Sequence, residues 1–307
     1  GPWQPKSFGP DANVSSVNDI AEQNGALVIG GQFRLDNETG DAGSLARWDG
    51  SKWNLIGGGL EGVGPATVTD IEIVGDKIYV AGDIRFAGGL QVSHVGMWDT
   101  AQGRWSTLND GIFGLSGGFG LFEPPAKALT VDQGGEVYVG GNFSLIGGRN
   151  ALGIARWDGI QWNPVDDPKA RRLGINGAAS ALAEGPNGEI YVGGEFPMVG
   201  GDVAASGVAK FENEQWSALG AGLDGQVMTL AVKGTTVYAG GAFVRSGPAA
   251  ARFIAHWNGA TWASVGGGVD GAVSTIVIGP DGNVYAGGEF TEAGGVKANR
   301  VAKWDGQ

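Results

Sequence analysis

Thirty-two acidic side chains and two histidines carry almost all the acid–base and metal chemistry open to this 307-residue chain, because it has no cysteine. That absence removes disulfides, thiol nucleophiles and cysteine-ligated metals together. Two histidines, His94 and His256, exclude a three-histidine metal site. The densest group of oxygens is the run Asp36-Asn37-Glu38-Thr39-Gly40-Asp41. Hard cations such as Ca²⁺ take oxygen ligands of this kind, so Asp36, Glu38 and Asp41 are the candidate metal ligands. The run lacks the full calcium-loop pattern and its distal Glu, and a solvated acidic loop is the expectation. No other metal or cofactor is expected. The tracts Gly57-Gly58-Gly59 and Gly266-Gly267-Gly268 are not phosphate loops, since no Gly-Lys-Ser/Thr follows them. A carboxylate pair at glycosidase spacing is the one catalytic device left.

The elements that position these groups come from a repeat. A double glycine, or its Ala-Gly equivalent, recurs at Gly30-Gly31, Ala81-Gly82, Gly140-Gly141, Gly193-Gly194, Gly240-Gly241 and Gly287-Gly288. Periods of this size mean a solenoid or a propeller. Within one unit, the stretch 179–183 alternates and Glu184-Gly185-Pro186-Asn187-Gly188 is a turn. The stretch 190–196 is rich in β-branched and aromatic residues, 207–211 is a third strand, and 216–219 a fourth. The expected fold is all-β: a six-bladed β-propeller of four-stranded blades forming a single domain over 1–307. The blades fall near 17–57, 68–108, 126–166, 179–220, 227–266 and 273–304. The last unit ends after its third strand, and residues 3–8, containing Trp3, read as its missing fourth strand. The N-terminal strand is therefore expected to complete the last blade and close the ring.

The repeat absorbs most of the reactive aromatics. All 11 Trp fall at two ring positions beside the third-to-fourth-strand turn, Phe211 filling the one vacancy, and all five Tyr share one position of the second strand. Packing, not sugar stacking or acid–base work, is the expected role. His256 aligns with Arg47, Arg156, Lys210 and Lys303 and is expected to be a solvated basic position. After the double glycine stand Gln32, Asp83, Asn142, Glu195, Ala242 and Glu289, expected to serve each blade's own hydrogen bonds. The glycines themselves are expected to make room for indoles.

The net charge of −12 disfavours nucleic acid and anionic membranes. No apolar run reaches the roughly 20 residues a membrane helix needs, so no membrane insertion is expected. A monomer is expected.

The pattern Tyr138-Val139-Gly140-Gly141-Asn142-Phe143, then Ala155-Arg156-Trp157-Asp158-Gly159 and Trp162, resembles the repeats of the fungal cortical cell-polarity marker family. It is similar to repeats of large bacterial cell-surface proteins and, more distantly, to kelch propellers. The resemblance covers all six units and brings no catalytic residue. It implies an extracellular or surface-displayed propeller used for interaction.

Long connections lie between second and third strands or between units, which in a propeller emerge on one face. The longest, 109–125, holds Phe113, Phe119 and Phe122, none expected at a repeat position, with Ile112, Leu115 and Leu121 beside them. It either folds over its own face as a plug or serves as a contact surface. With Arg85, Arg171 and Arg172 these phenylalanines are the candidate partner-binding residues, for a protein or carbohydrate ligand. The leading function is non-enzymatic binding at a cell surface. A carbohydrate-active hydrolase or lyase with acidic residues at the axial mouth, and a structural spacer of a larger surface protein, are the alternatives.

Overall fold

The computed structural model describes residues 7–8, 12–35, 43–62, 64–109, 111–115, 126–166 and 174–306, the stretch 113–115 in backbone only. Strands and turns account for all of the regular structure among them. Five four-stranded antiparallel sheets and a sixth, with three described strands, follow one another along the chain, with smaller sheets between their strands. The first comprises Asn13–Gln23, Ala26–Arg34, Leu45–Trp48 and Trp53–Leu55, the second Thr67–Val74, Lys77–Asp83, Val95–Asp99 and Arg104–Thr107. The third comprises Ala126–Val131, Val137–Gly141, Ile154–Trp157 and Trp162–Pro164, the fourth Ala178–Glu184, Ile190–Glu195, Val208–Glu212 and Gln215–Ala218. The fifth comprises Val227–Lys233, Thr236–Gly241, Ile254–Trp257 and Trp262–Ser264. The sixth shows three strands among the described residues: Val273–Ile278, Val284–Gly288 and Val301–Trp304. Two compact units divide the chain. One contains Gly1–Val131, Gly135–Arg149 and Trp157–Asn163, and the other Asp132–Gly134, Asn150–Arg156 and Pro164–Gln307.

The double glycines are not indole seats. The first glycines Gly30, Gly193 and Gly240 each face the first strand of the next sheet. A Cβ on Gly240 would lie 2.5 Å from Val273 and 3.0 Å from Ile276, and one on Gly30 would strike Val68 and Ile71. The second faces backbone across a shifted register, as Gly31 faces Ser16 and Gly241 faces Gln226. The apolar knobs Val68, Val227 and Val273 are fully buried as a result. Side chains extend these junctions. Asp19 Oδ2 accepts from the Ile71 N–H at 2.8 Å, Asp70 Oδ2 from Leu129 at 2.7 Å, and Thr229 Oγ1 from Ile276 at 3.1 Å. In the second, third and sixth sheets the donating residue lies just past the register shift of its strand.

Indoles seat elsewhere. The third- and fourth-strand rings pair at 5.3 Å (Trp48–Trp53), 5.5 Å (Trp98–Trp105 and Trp157–Trp162), 5.1 Å (Phe211–Trp216) and 5.8 Å (Trp257–Trp262). Phe211 thus occupies a tryptophan position. The fourth-strand indole then donates to a carbonyl at the end of the preceding unit: Trp105 to Gly57, Trp162 to Leu108, Trp216 to Val165 and Trp262 to Leu219. Trp53 differs, its Nε1 being buried with no hydrogen-bond partner among the described residues. The acid of the Trp-Asp-Gly motif closes the third-to-fourth-strand turn: Asp49 Oδ1 accepts from Ser51 and Lys52, Asp158 Oδ1 from Ile160 and Gln161.

The second-to-third-strand connections of units two to six are folded, not loops. Phe86–Ala87 pairs with Leu90–Gln91, Met198–Val199 with Val203–Ala204, and Glu292–Ala293 with Val296–Lys297. Each is a tight hairpin on a second glycine motif. Gly88 and Gly89 have φ of 54° and 81°, as a two-residue turn with both centres left-handed requires. Here the indole does find its glycine: a Cβ on Gly147 would sit 2.8 Å from Trp162, one on Gly200 2.9 Å from Trp216.

Candidate functional site

The segment entering a unit pairs with its hairpin, as a third strand in units two and three and as a single bridge in units four and six. Leu60 pairs with Ala87, Ile112 with Ile146, Ile175 with Val199 and Val269 with Ala293. Ile112–Leu115, read from the sequence as part of a loop, is therefore a strand, and Ile112-Phe113-Gly114 stands in a repeat position beside Leu60-Glu61-Gly62, Leu223-Asp224-Gly225 and Val269-Asp270-Gly271. The usual residue at the centre is an acid that caps the hairpin. Asp224 Oδ1 accepts from Val244 and Arg245, and Asp270 Oδ1 from Thr291 and Glu292. Phe113 replaces that acid. This signal was legible as Leu/Ile/Val-x-Gly, but the length of the connection hid it.

Unit two departs again at Ile84, which is fully buried where the other units place Phe33, Phe143, Phe196, Phe243 or Phe290. Phe86 is left 38% exposed. Phe86 and the chain neighbours of Ile84 and Phe113 border a cavity of about 400 Å³ lined by Arg85, Phe86, Gln91, Ser93, His94 and Ile112. Ser93 and His94 are successive left-handed residues, φ 48° and 76°. Such backbone costs about 1–3 kcal/mol per residue and persists where surroundings impose it. The reason here is a reciprocal corner: His94 N–H donates to Ile84 O at 2.6 Å, and Gly82 N–H to His94 O at 3.1 Å. His94 Nδ1 lies 3.1 Å from Gly82 O, so it carries the proton and leaves Nε2 as the acceptor. Burial holds this imidazole below its ordinary value, against the Gly82 hydrogen bond and the Asp83 carboxylate 3.7 Å away.

Of the sequence candidates, the structure places Arg85 at this cavity and the backbone of Phe113 beside its Ile112 wall. Phe119, Phe122, Arg171, Arg172 and the acidic residues Asp36, Glu38 and Asp41 lie outside the described residues. His256 is not a solvated base. It stacks at 6.3 Å on Trp304, and its buried Nδ1 has no hydrogen-bond partner among the described residues. The residues after the double glycines do not serve their own sheets by side-chain hydrogen bonds. Asp83, near His94, is the one of them with a side-chain partner among the described residues. Among the described residues no three acidic or histidine side chains converge as metal ligands.

A carboxylate pair does exist, at positions the sequence reading passed over. Asp19 and Asp70 share the Ile71 N–H. Asp70 lies deep in the protein while keeping part of its surface open. Burial, then the Asp19 charge, push its carboxyl well above the ordinary range, against the Leu129 N–H bond. The signal was Val17-Asn18-Asp19-Ile20 recurring as Val68-Thr69-Asp70-Ile71. Both carboxylates are tied to backbone N–H groups, which makes the pair a junction between sheets.

With this geometry in hand, comparison with known proteins places the chain among propeller-like, all-β repeat proteins. The model of a family described as a domain of unknown function (DUF5122), beta-propeller, matches residues 279–303. The chain is similar to Polarized growth protein L1 of Phoma sp., 33% identical over 131 residues, which is 41% of this chain and 9% of the fungal protein. Two crystal structures of the extracellular domain of BT4673 from B. thetaiotaomicron share its fold. They are described as a one-component and as a hybrid two-component system. Both have a TM-score of 0.55, at 10% and 11% identity, over 92% of this chain and 32% of theirs. The chain thus spans a small part of each of these proteins. No helix of the described residues is long and apolar enough to cross a membrane.

Proposed function

We propose that this protein is a non-enzymatic recognition module, displayed at a cell surface or outside the cell, which binds a protein or carbohydrate ligand through its hairpin-bearing face. The observation that carries this reading is the convergence of the repeat's departures. Arg85, the exposed Phe86 and Ile112, the first residue of the Ile112–Leu115 strand, border one cavity, and Ile84 adjoins Arg85 in the chain. Departures from a self-similar scaffold that gather in one place are where recognition is carried. Phe113, Phe119, Phe122, Arg85, Arg171 and Arg172 are the proposed contact residues. The test is an array of glycans and extracellular proteins probed with the labelled chain and with a variant carrying Phe113→Ser, Phe119→Ser and Phe122→Ser. Lost binding at an unchanged melting temperature supports the reading. Binding that survives, or a large drop in melting temperature, refutes it, the latter because the segment is then a plug.

The scaffold we propose is a six-bladed ring, closed by residues 3–8 as the fourth strand of the last blade. Two features support it. Among the described residues no strand pairs with the outer edge of Val301–Trp304, which borders a cavity of about 590 Å³, and no fourth-strand indole lies against hairpin Gly294 as it does at Gly147 and Gly200. In the first sheet, Val17 and Ile20 stand where Val68 and Ile71 stand in the second, yet they are 37% and 61% exposed. Gly287 correspondingly has no apolar knob of a following sheet against it among the described residues.

A further inference from the structure

The cavity beside Arg85 has a lining that is chemically specific. The Arg85 guanidinium has no hydrogen-bond or ion-pair partner among the described residues, and it is a planar donor fork suited to a carboxylate. Gln91 Nε2 donates to the Ser93 hydroxyl at 3.4 Å, leaving amide and hydroxyl groups to bond outward. His94, its Nδ1 committed to Gly82 O, offers an acceptor at Nε2. The Phe86 ring supplies an exposed apolar face, and the buried Ile112 a floor. At about 400 Å³ the space lies near the low end of small-molecule sites, about 300–1,000 Å³, enough for one ring and not for a folded segment.

We infer that this cavity binds a single uronic acid residue of a glycan, with Arg85 on its carboxylate, Gln91, Ser93 and His94 on its hydroxyls, and Phe86 against its C–H face. An acidic peptide side chain satisfies Arg85 alone: it brings no hydroxyl donor for His94 and no ring for Phe86. A neutral sugar leaves the guanidinium unanswered. A polyanionic run meets the chain's net charge of −12, so the geometry favours an isolated acidic sugar over a tract of them. This assignment rests on the proposed recognition function and names the ligand class for the same face.

The test uses saturation-transfer NMR and calorimetry with the full chain and three probes: methyl β-D-glucuronide, methyl β-D-glucoside and N-acetylglutamate. The glucuronide is expected to bind about tenfold tighter than the glucoside, a difference equal to about one charge-assisted hydrogen bond. Arg85→Gln is expected to abolish that preference, and Phe86→Ala to weaken both sugars. Both side chains are exposed, so the folded state is checked by an unchanged melting temperature. Equal binding of the two sugars, no binding of either, or glutamate binding as well as glucuronide overturns the inference. If the array of the preceding section finds a ligand lost in the triple Phe variant while the glucuronide fails, the sugar assignment falls alone. If that array finds nothing dependent on the face, the recognition reading falls with it.

Discussion

Replacing Gly240 and Gly287 separately with alanine tests how the sheets pack. A Cβ on Gly240 would lie 2.5 Å from Val273 Cγ1, 2.8 Å from Thr229 Cγ2 and 3.0 Å from Ile276 Cδ1. Val273 is fully buried and Ile276 is 5% exposed, so neither can retreat into solvent. Overpacking of this kind costs about 1–3 kcal/mol. Against it, alanine restricts the unfolded chain and returns about 0.4–1 kcal/mol where its backbone is compatible. The net expectation is a loss of about 1–2 kcal/mol, read as a shift of the urea midpoint at constant slope. For a chain of this size that is roughly 2–4 °C in melting temperature. At Gly287 the same Cβ would meet Thr275 Cγ2 at 3.0 Å and little else. Thr275 is exposed and free to turn, so the sheet by itself predicts a near-neutral effect. Closure changes that expectation, because Val17 and Ile20 would then cover Gly287 as Val273 and Ile276 cover Gly240. The proposed ring requires similar losses at both sites. A neutral Gly287→Ala beside a costly Gly240→Ala refutes closure, and a neutral Gly240→Ala refutes the packing argument itself.

Four further outcomes are expected. Deleting residues 1–9 should lower the melting temperature or cause aggregation by leaving the Val301–Trp304 edge unpaired, and an unchanged melt counts against closure. Trp162→Phe leaves the Leu108 carbonyl without its donor and should cost about 1–3 kcal/mol in denaturant titration, whereas Trp53→Phe, which removes an N–H that has no partner, should cost less. Asp70 is held above its ordinary value of 3.8, so the folded state binds the proton more tightly than the unfolded state. Its contribution is present below that value and is lost as pH rises through the folded value. Asp70→Asn keeps an acceptor for Leu129, so it should match wild type near pH 4 and exceed it at neutral pH; equal stability across that range would refute the assignment. For the run 36–41, millimolar Ca²⁺ should leave the melting temperature unchanged, and a rise abolished by Asp36→Ala would show a calcium site.

The repeat made much of this legible before any coordinates. Strand order within a unit follows from alternation between turn residues, because a half-buried strand shows its period directly. The Trp and Tyr inventory could be assigned to packing because each ring recurred at one position, and Phe211 could be recognised as a stand-in for tryptophan. The site was less legible. Arg85 was singled out, but Gln91, Ser93 and His94 were not, since a cavity joins residues that the sequence separates. Phe113 was taken for an irregular loop residue because a long connection obscured its Leu/Ile/Val-x-Gly frame. The double glycines were given to indoles, but which neighbour needs a missing Cβ depends on how the next sheet docks.

Sequence alone thus determined the strands, their grouping into units and the absence of a thiol or three-histidine chemistry. These follow from local periodicity and from composition, which need no knowledge of what lies across a junction. Tertiary structure alone decided that Asp19 and Asp70 meet at one N–H and that His256 stacks on Trp304. It alone decided that Phe86 is left outside while Ile84 takes a phenylalanine's place. Each of these depends on contacts about fifty residues apart or on competition for one buried slot. The free energy of such contacts belongs to the docked pair of elements and is written in neither one by itself.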